Sequence, residues 1–356
     1  MGATSCHIRG RTTEAASAVY VRADTDHTTV VSPYVRAAAV VGDRVGIEAS
    51  ETIDAWTGAS VDVVTAATRA IHERRYETTA TTSYAGDLWT FAGSYRYSTE
   101  PDYRSQGGSL RMTADLAQRN TTLAMTVFGS NDTVGRAGDP GFRRALMNGG
   151  ARLTLTQVLD PSTLGEVQWE TVQVAGYQAS PYRFVAVGGS GVCAEGAPFC
   201  LPEEIPDVRT RHAPALRLRR ALGARVSFGL DYRMYFDSWD LWSHTVEPDL
   251  AWLIGDRTTV AATYRYYTQS DASFYRPRYF AFDGGSGWFT RDRKLSAFFS
   301  HGLGVSVRHD FPVGKGGSGL SMGARGTFTH FRYLAFVGLR EVSAVETTLF
   351  LSLRFD

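Results

Sequence analysis

Residues 345–355, VETTLFLSLRF, alternate between apolar and mainly polar positions. One face carries four large apolar residues: Leu349, Leu351, Leu353 and Phe355. The other face carries Thr348, Phe350, Ser352 and Arg354. A period of two is typical of a β-strand, whose successive side chains point to opposite sides. The last strand of the chain therefore ends on an aromatic residue, with only Asp356 beyond it.

The same period recurs upstream, most clearly between Arg225 and Asp237. There Phe228 and Leu230 share one face, and Ser227 shares the other face with the charged residues. Similar patterns occupy residues 88–100, 109–116 and 258–269, with aromatic residues gathered near the predicted strand ends. A soluble sandwich would bury the apolar face, whereas a membrane barrel would turn it towards lipid and the polar face towards the lumen. The repetition and the aromatic positions favour the barrel.

Composition narrows the class of protein. Hydrophobic residues make up 43% and aromatic residues 12% of the chain, yet the longest stretch without Asp, Glu, Lys or Arg is Leu295–Val307. A spanning helix needs ~20 apolar residues, so none is predicted. The net charge is +1, which implies no nucleic-acid partner.

Turn signals divide the chain into alternating short and long connections. Seven tight turns are predicted at residues 42–43, 86–87, 119–120, 160–162, 222–223, 255–256 and 314–319. Longer stretches near 57–71, 99–107, 130–145, 175–211, 237–242, 270–293 and 332–343 lie between them. We predict a single transmembrane antiparallel β-barrel of about 16 strands, with 14 as the alternative, short periplasmic turns and long extracellular loops. A first strand at Ala16–Ala23 would put both chain ends on the short-turn side.

The first fifteen residues do not follow this pattern. No apolar signal-peptide segment is visible in residues 1–10, which counts against export. We therefore assign residues 1–15 to a disordered segment or a misassigned start, and residues 16–356 to the barrel.

The terminal strand resembles the C-terminal signal of bacterial outer-membrane β-barrels. Its outward residues Leu351, Leu353 and Phe355 would then be the assembly signal. This resemblance implies a Gram-negative outer-membrane location, with outer-membrane lipids and the barrel-assembly machinery as partners.

Several internal segments resemble an uncharacterised family of bacterial outer-membrane β-barrel proteins. They are DAWTGASVD (54–62), STEPDY (98–103), GDP (138–140), GYQASPYR (176–183) and FYRPRY (274–279). The resemblance extends from about Val19 to the end of the chain. It implies the same fold and location, a cell-envelope protein of porin-like build, and no known catalytic residue.

The polar faces supply the candidate lumenal residues. Twelve charged residues are predicted to point inward: Arg75, Glu77, Arg96, Arg111, Asp115, Arg225, Asp231, Arg233, Asp237, Glu247, Asp249 and Arg265. Seven of them, from Arg225 to Arg265, are predicted to form a mixed-charge ladder on one wall. Such a lumen could select ions or small polar solutes, or its charges could simply neutralise one another. The segment Gly58–Ala70, with mild helical character, could constrict the lumen or cap it from outside.

The sequence gives few signals for disulfide, metal-binding or catalytic chemistry. Cys193 and Cys200, with six residues between them, are predicted to form a disulfide in an exported loop. No metal site, cofactor or catalytic motif is predicted, since Gly-x-Ser-x-Gly is absent and the eight histidines are scattered. We expect a channel or binding protein for small polar solutes. The alternatives are a structural component of an envelope assembly, which could be redox-linked and have partner proteins, and an outer-membrane enzyme.

Overall fold

The computed structural model describes residues 13–58, 71–188, 193, 200–279, 287–313 and 318–355. Sixteen strands form one closed antiparallel barrel, as the sequence predicts. They are β1 (Thr13–Asp24), β2 (Thr28–Val41), β3 (Val45–Gly58), β4 (Ile71–Ala85), β5 (Trp89–Thr99), β6 (Tyr103–Leu116), β7 (Thr121–Arg136), β8 (Asp139–Asp160), β9 (Thr163–Gly176), β12 (Val208–Ala221), β13 (Val226–Asp237), β14 (Trp242–Ile254), β15 (Thr258–Gln269), β16 (Phe298–Pro312), β17 (Gly319–Tyr333) and β18 (Glu341–Phe355). Two short strands, β10 (Phe184–Ala186) and β11 (Cys200–Pro202), pair with each other between β9 and β12.

The barrel closes where β1 pairs with β18. The register runs from Thr13 opposite Phe355 to Asp24 opposite Ala344. Closure gives every strand a neighbour on both sides, which removes the unpaired edges that a bilayer cannot solvate. The first strand begins at Thr13 rather than at Ala16, so the predicted boundary between residues 15 and 16 falls inside it.

The connections divide between two rims. One rim, which we call the short-turn rim, carries residues 42–44, 86–88, 117–120, 161–162, 222–225, 255–257, 313 and 318. The opposite rim, the long-loop rim, carries 25–27, 100–102, 137–138, 238–241, 334–340 and the described residues of 177–207 and 270–297, and the ends of β3 and β4 at Gly58 and Ile71 also lie there. β1 begins and β18 ends at the short-turn rim, as predicted. The segment Gly58–Ala70 lies outside the described residues apart from the backbone of Gly58.

Two predicted long loops are wrong. Only residues 100–102 connect β5 to β6, and only residues 137–138 connect β7 to β8. β8 has 22 residues, whereas 9–11 suffice to cross a bilayer. The polar, glycine-containing stretch that suggested a loop is thus a paired hairpin extending past the membrane span.

The two faces of the wall have the predicted characters. Large apolar side chains stand exposed on the outer face, among them Leu110 (67%), Leu303 (64%) and Leu349 (57%). The terminal residues Leu351, Leu353 and Phe355 share the face of Leu349, and Phe228 shares the face of Leu230. Arginine–carboxylate pairs between neighbouring strands line the inner face, such as Arg96 with Glu77 at 3.0 Å. No helix in the described ranges is long and apolar enough to cross a membrane.

Phe350 is an aromatic residue on the inner face of the last strand, between Thr348 and Ser352 on that face. It lies opposite Gly323 of β17. A Cβ added at Gly323 would come within 2.2 Å of the Phe350 ring. The ring therefore covers the glycine backbone, and this packing accounts for an aromatic residue among polar neighbours.

Phe355→Ala is expected to reduce the amount of barrel inserted in the membrane of cells several-fold. The reason is that the terminal aromatic residue, 46% exposed on the outer face, matches the predicted assembly signal. Refolding of the purified variant into detergent should remain close to wild type. Phe311→Ala is the matched control, because Phe311 is also an exposed aromatic residue near the short-turn rim. Equal insertion of the two variants would contradict the assignment.

Candidate functional site in the lumen

Loops of the long-loop rim fold together into a small domain over the barrel mouth, which we call the loop cap. It comprises the described residues of 177–207, 238–241, 270–297 and 334–340. Its apolar core consists of Trp239, Leu241, Ala272, Phe274, Tyr275, Leu295 and Phe336. Trp239 and Phe274 meet edge to face with ring centroids 5.3 Å apart. Since these residues come from three separate loops, the core fixes the loops relative to one another.

A buried ionic network holds the longest loop in the cap. The Glu203 side chain is fully buried and accepts hydrogen bonds from Arg183 Nη1, at 3.0 and 3.1 Å, and from the Ser180 amide at 2.9 Å. The Thr290 hydroxyl also donates to Glu203. Arg183 reaches Asp292 as well, at 3.3 Å. Each carboxylate accepts from more than one donor, which offsets the cost of burying its charge.

Asp292 makes the cap sensitive to acid. Burial raises the pKa of its carboxyl, but the charges of Arg183 and Lys294 outweigh that effect and hold the pKa below its usual range. Its contribution to stability is therefore present above the pKa of the unfolded chain, and it is lost as the pH falls through the lower pKa of the folded state.

The cap is tied to the barrel wall at several points. Gln269, at the top of β15, donates to the carbonyls of Lys294 and Ser296 at 2.9 and 2.7 Å. The Trp239 indole donates to the Val208 carbonyl at 3.0 Å. These bonds set residues 292–295 directly above the inner face of β13–β15.

Asp237 is the main junction between wall and cap. Its side chain is fully buried and pairs with Arg209 of β12, whose Nε lies 2.8 Å from Oδ2. It also accepts the Tyr235 hydroxyl at 2.6 Å and the amides of Trp239 and Leu241 at 2.9 and 3.2 Å. The Arg209 guanidinium stacks 4.1 Å from the centre of the Trp239 ring. Asp237 thus has no acceptor capacity left for another cation.

A cavity of about 300 Å³ lies between the cap and this wall. From the wall it is lined by Arg209, Arg233, Tyr235, Ser243, Thr245, Arg265, Tyr267 and Gln269. From the cap it is lined by Leu241, Asp292, Lys294 and Leu295. The volume of the cavity is near the lower limit of those that hold small-molecule ligands.

Below the cavity, inward charges pair across neighbouring strands. Asp231 is bound by Arg219 at 2.5 Å and lies 4.0 Å from Arg217. Glu247 pairs with Arg265 at 3.6 Å. Acids and arginines thus meet across neighbouring strands, and β12 supplies most of the arginines.

Gly229 allows one of these contacts to form. It lies between Arg219 on β12 and Asp249 on β14 in the register. A Cβ at this position would stand 2.1 Å from Asp249 Oδ1. The missing side chain leaves room for the Asp249 carboxylate to lie across β13, within 3.9 Å of Arg219.

The predicted ladder is therefore only partly brought together. Asp231, Asp237, Glu247, Asp249 and Arg265 lie in ion pairs on the inner face. Arg233 lines the cavity instead. Arg225 belongs to the short-turn rim, where it donates to the Gly255 carbonyl at 3.0 Å and lies 3.8 Å from Asp256. It is not part of the ladder, because β13 begins one residue after it.

Four arginines of β12 were missed in the sequence: Arg209, Arg211, Arg217 and Arg219. Arg209 and Arg211 fell in the predicted long loop 175–211. Arg217 and Arg219 alternate with Leu216 and Leu218, and this alternation was a usable signal for the inner face.

Three carboxylates meet on the opposite side of the barrel mouth. Glu73, Glu100 and Asp102 have oxygens within 4.8 Å of one another, a set that could hold a divalent cation. Burial raises the pKa of Glu100; Arg75 opposes the shift, and Asp102 adds to it. The Tyr182 hydroxyl of the cap donates to Asp102.

Cys193 and Cys200 are joined by a disulfide, with Cα atoms 5.4 Å apart. Cys193 packs with Phe184 and Ala186 of β10, and Cys200 starts β11. The bond therefore closes a local ring beside the short hairpin rather than linking the loop to the barrel.

Mass spectrometry of unreduced protein from the envelope is expected to find the peptides of Cys193 and Cys200 linked. Reduction should speed proteolysis within 177–207 and leave the unfolding temperature of the barrel almost unchanged, because the ring is small and local. Cys6→Ala is the control and should leave the linkage intact. Free thiols at both positions would contradict this prediction.

The closed barrel, with its apolar outer face and charged lumen, is the fold of outer-membrane β-barrel proteins. The family model for DUF3570, a protein of unknown function, matches residues 62–324. The chain belongs to this family.

One solved structure supports the fold. A structure described as a bacterial polysaccharide outer membrane secretin aligns with a TM-score of 0.54 and 9% identity, covering 97% of this chain and 98% of that one. The P. putida toluene transporter TodX aligns with a TM-score of 0.41 and 13% identity, covering 98% of this chain and 90% of that one. No curated protein matches the sequence. At these identities the likeness to solved structures concerns the fold alone.

Proposed function

We propose that this protein lies in the outer membrane of a Gram-negative bacterium, and that its lumen admits and binds a small polar solute. The observation that carries the proposal is the cavity of about 300 Å³ that is lined by charged and hydroxyl side chains of the wall and by residues of the loop cap. A solute entering from the long-loop rim would have to pass the cap and would meet these groups first. A purely structural barrel has no need of a polar chamber at its mouth.

Planar bilayers containing the purified full-length chain test this proposal. We expect discrete ion-conducting steps from the wild type. Arg183→Ala should raise the conductance, because it removes the cation that holds Glu203 and Asp292 in the cap. Arg332→Ala is the control. Arg332 is 60% exposed at the same rim, and its ion pair with Glu341 is long, at 4.0 Å. Its conductance should equal that of the wild type.

Uptake of small sugars and amino acids into proteoliposomes provides a second readout for solutes that carry little current. If neither the wild type nor Arg183→Ala conducts ions or admits any solute, the channel proposal is wrong. A structural role in an envelope assembly would then be the better account.

A further inference from the structure

Arg233 is the sole charged residue in its row of the inner wall. A row is the set of inward-facing residues that lie directly opposite one another on neighbouring strands. From β12 to β16 this row reads Ala215, Arg233, Thr245, Tyr267 and Ser300. The next row towards the short-turn rim reads Arg217, Asp231, Glu247 and Arg265, so its two acids face two arginines. The row of Arg233 contains no such partner.

The acids on the same wall are already paired with other groups. Glu247, in the row next to that of Arg233, pairs with Arg265 at 3.6 Å. Asp237 is occupied by Arg209, Tyr235 and two backbone amides. Asp231 is held by Arg219, with two hydrogen bonds of 2.5 and 2.9 Å. Within the described ranges Arg233 consequently forms no ion pair, although it lines the cavity.

Further positive charge surrounds the cavity. Arg209, Arg265 and Lys294 line it with Arg233, and Asp292 is its single lining carboxylate. Arg209 is paired with Asp237 and Arg265 with Glu247, so Arg233 is the lining arginine without an ion pair in the described part of the chain. The Asp292 carboxylate is itself engaged by Arg183 and by the Lys294 amide. On the same face of β12, Arg211 has a buried Nε without a hydrogen-bond partner. Arg211 does not line the cavity, so it adds positive charge nearby rather than a contact to a ligand.

We propose that this cavity binds the oxyanion group, carboxylate or phosphate, of a small organic solute. The planar guanidinium of Arg233 presents paired N–H donors that match either group. Lys294 would approach from the cap, and the hydroxyls of Ser243 and Thr245 lie beside Arg233 on the wall. The inference rests on the proposed function in one respect, because the solute reaches the cavity by way of the lumen.

Binding is measured on the purified full-length barrel in detergent, without transport. Sodium phosphate, sodium succinate and tetramethylammonium chloride are titrated at constant ionic strength, and the unfolding temperature is followed. We expect at least one of the two oxyanions to raise the unfolding temperature with saturation, whereas tetramethylammonium does not. The oxyanion that acts at lower concentration distinguishes a carboxylate site from a phosphate site.

Three variants locate the effect. Arg233→Gln should raise the half-saturating concentration about tenfold or more. This is the loss of affinity expected when one hydrogen bond to a charged group is removed. The half-saturating concentration of Arg233→Lys should lie between those of Arg233→Gln and the wild type, because lysine keeps the positive charge but lacks the paired N–H donors of the guanidinium. Arg111→Gln is the matched control: Arg111 is an exposed lumenal arginine of β6 that lies outside the cavity. Its half-saturating concentration should change less than about twofold, well below the effect of a lost charged hydrogen bond.

Equal oxyanion affinity in the wild type, Arg233→Gln and Arg111→Gln would overturn the inference, as would a rise in unfolding temperature with tetramethylammonium. The outcome is separable from that of the proposed function. Oxyanion binding without conductance or uptake would overturn the channel proposal alone. Conductance without binding that depends on Arg233 would overturn this inference alone.

Discussion

Asp237→Ala is expected to destabilise the barrel mouth by about 3–5 kcal/mol, the usual cost of removing one partner from a buried ion pair. The change leaves the Arg209 guanidinium, 11% exposed, without its carboxylate. It also leaves the amides of Trp239 and Leu241 without their acceptor. Urea unfolding in detergent, followed by tryptophan fluorescence, measures the effect, because Trp239 reports on the cap directly.

Asp256→Ala provides the comparison. Asp256 is 93% exposed in the turn 255–257, and its distance to Arg225 is 3.8 Å. Exposed pairs of this kind contribute about 0–1 kcal/mol. If both substitutions changed the free energy of unfolding by the same amount, Asp237 could not be the junction described above.

Leu155→Arg should destabilise the barrel by about 2–4 kcal/mol, as expected for a cation near the bilayer midplane. Leu155 is 42% exposed on the outer face, and it borders an apolar groove with Val167, Leu216 and Leu230. Unfolding in lipid vesicles, followed by the heat-dependent shift in gel mobility, measures this cost.

Thr154→Arg is the matched control, one residue away on the inner face. Thr154 lies opposite Ala124 and Gln168 in the register, so an arginine there would meet neutral neighbours in the lumen. We expect the free energy of unfolding of Thr154→Arg to remain close to that of the wild type. Similar losses in both variants would mean that the inner and outer faces are assigned the wrong way round.

The strands were predictable because a lipid-facing wall imposes a period of two on the sequence. The pattern at residues 258–269 coincides with β15, and the terminal pattern lies within β18. Polar extensions lack this constraint, because beyond the membrane a hairpin needs no apolar face. For that reason the sequence predicts a loop where the segment around Arg136 and Asp139 is paired.

The charge pairs and the cavity could not be predicted in the same way. Which acid meets which arginine depends on the register between strands, and this is set by turns several residues away. The sequence therefore identified Asp231 and Arg265 as inward charges but not their partners. The loop cap left no periodic signal at all, since Trp239, Phe274 and Phe336 come from three loops that meet only in the folded chain.

The seam between Thr13 and Phe355 has a practical consequence. Because the two residues face each other at one rim, a short linker could join them and new ends could be opened at the exposed turn 255–257. Such a circularly permuted barrel would keep every strand neighbour but would place Phe355 in the interior of the sequence. It would separate the contribution of the final strand to pairing from its contribution as a terminal signal, which no substitution within that strand can do.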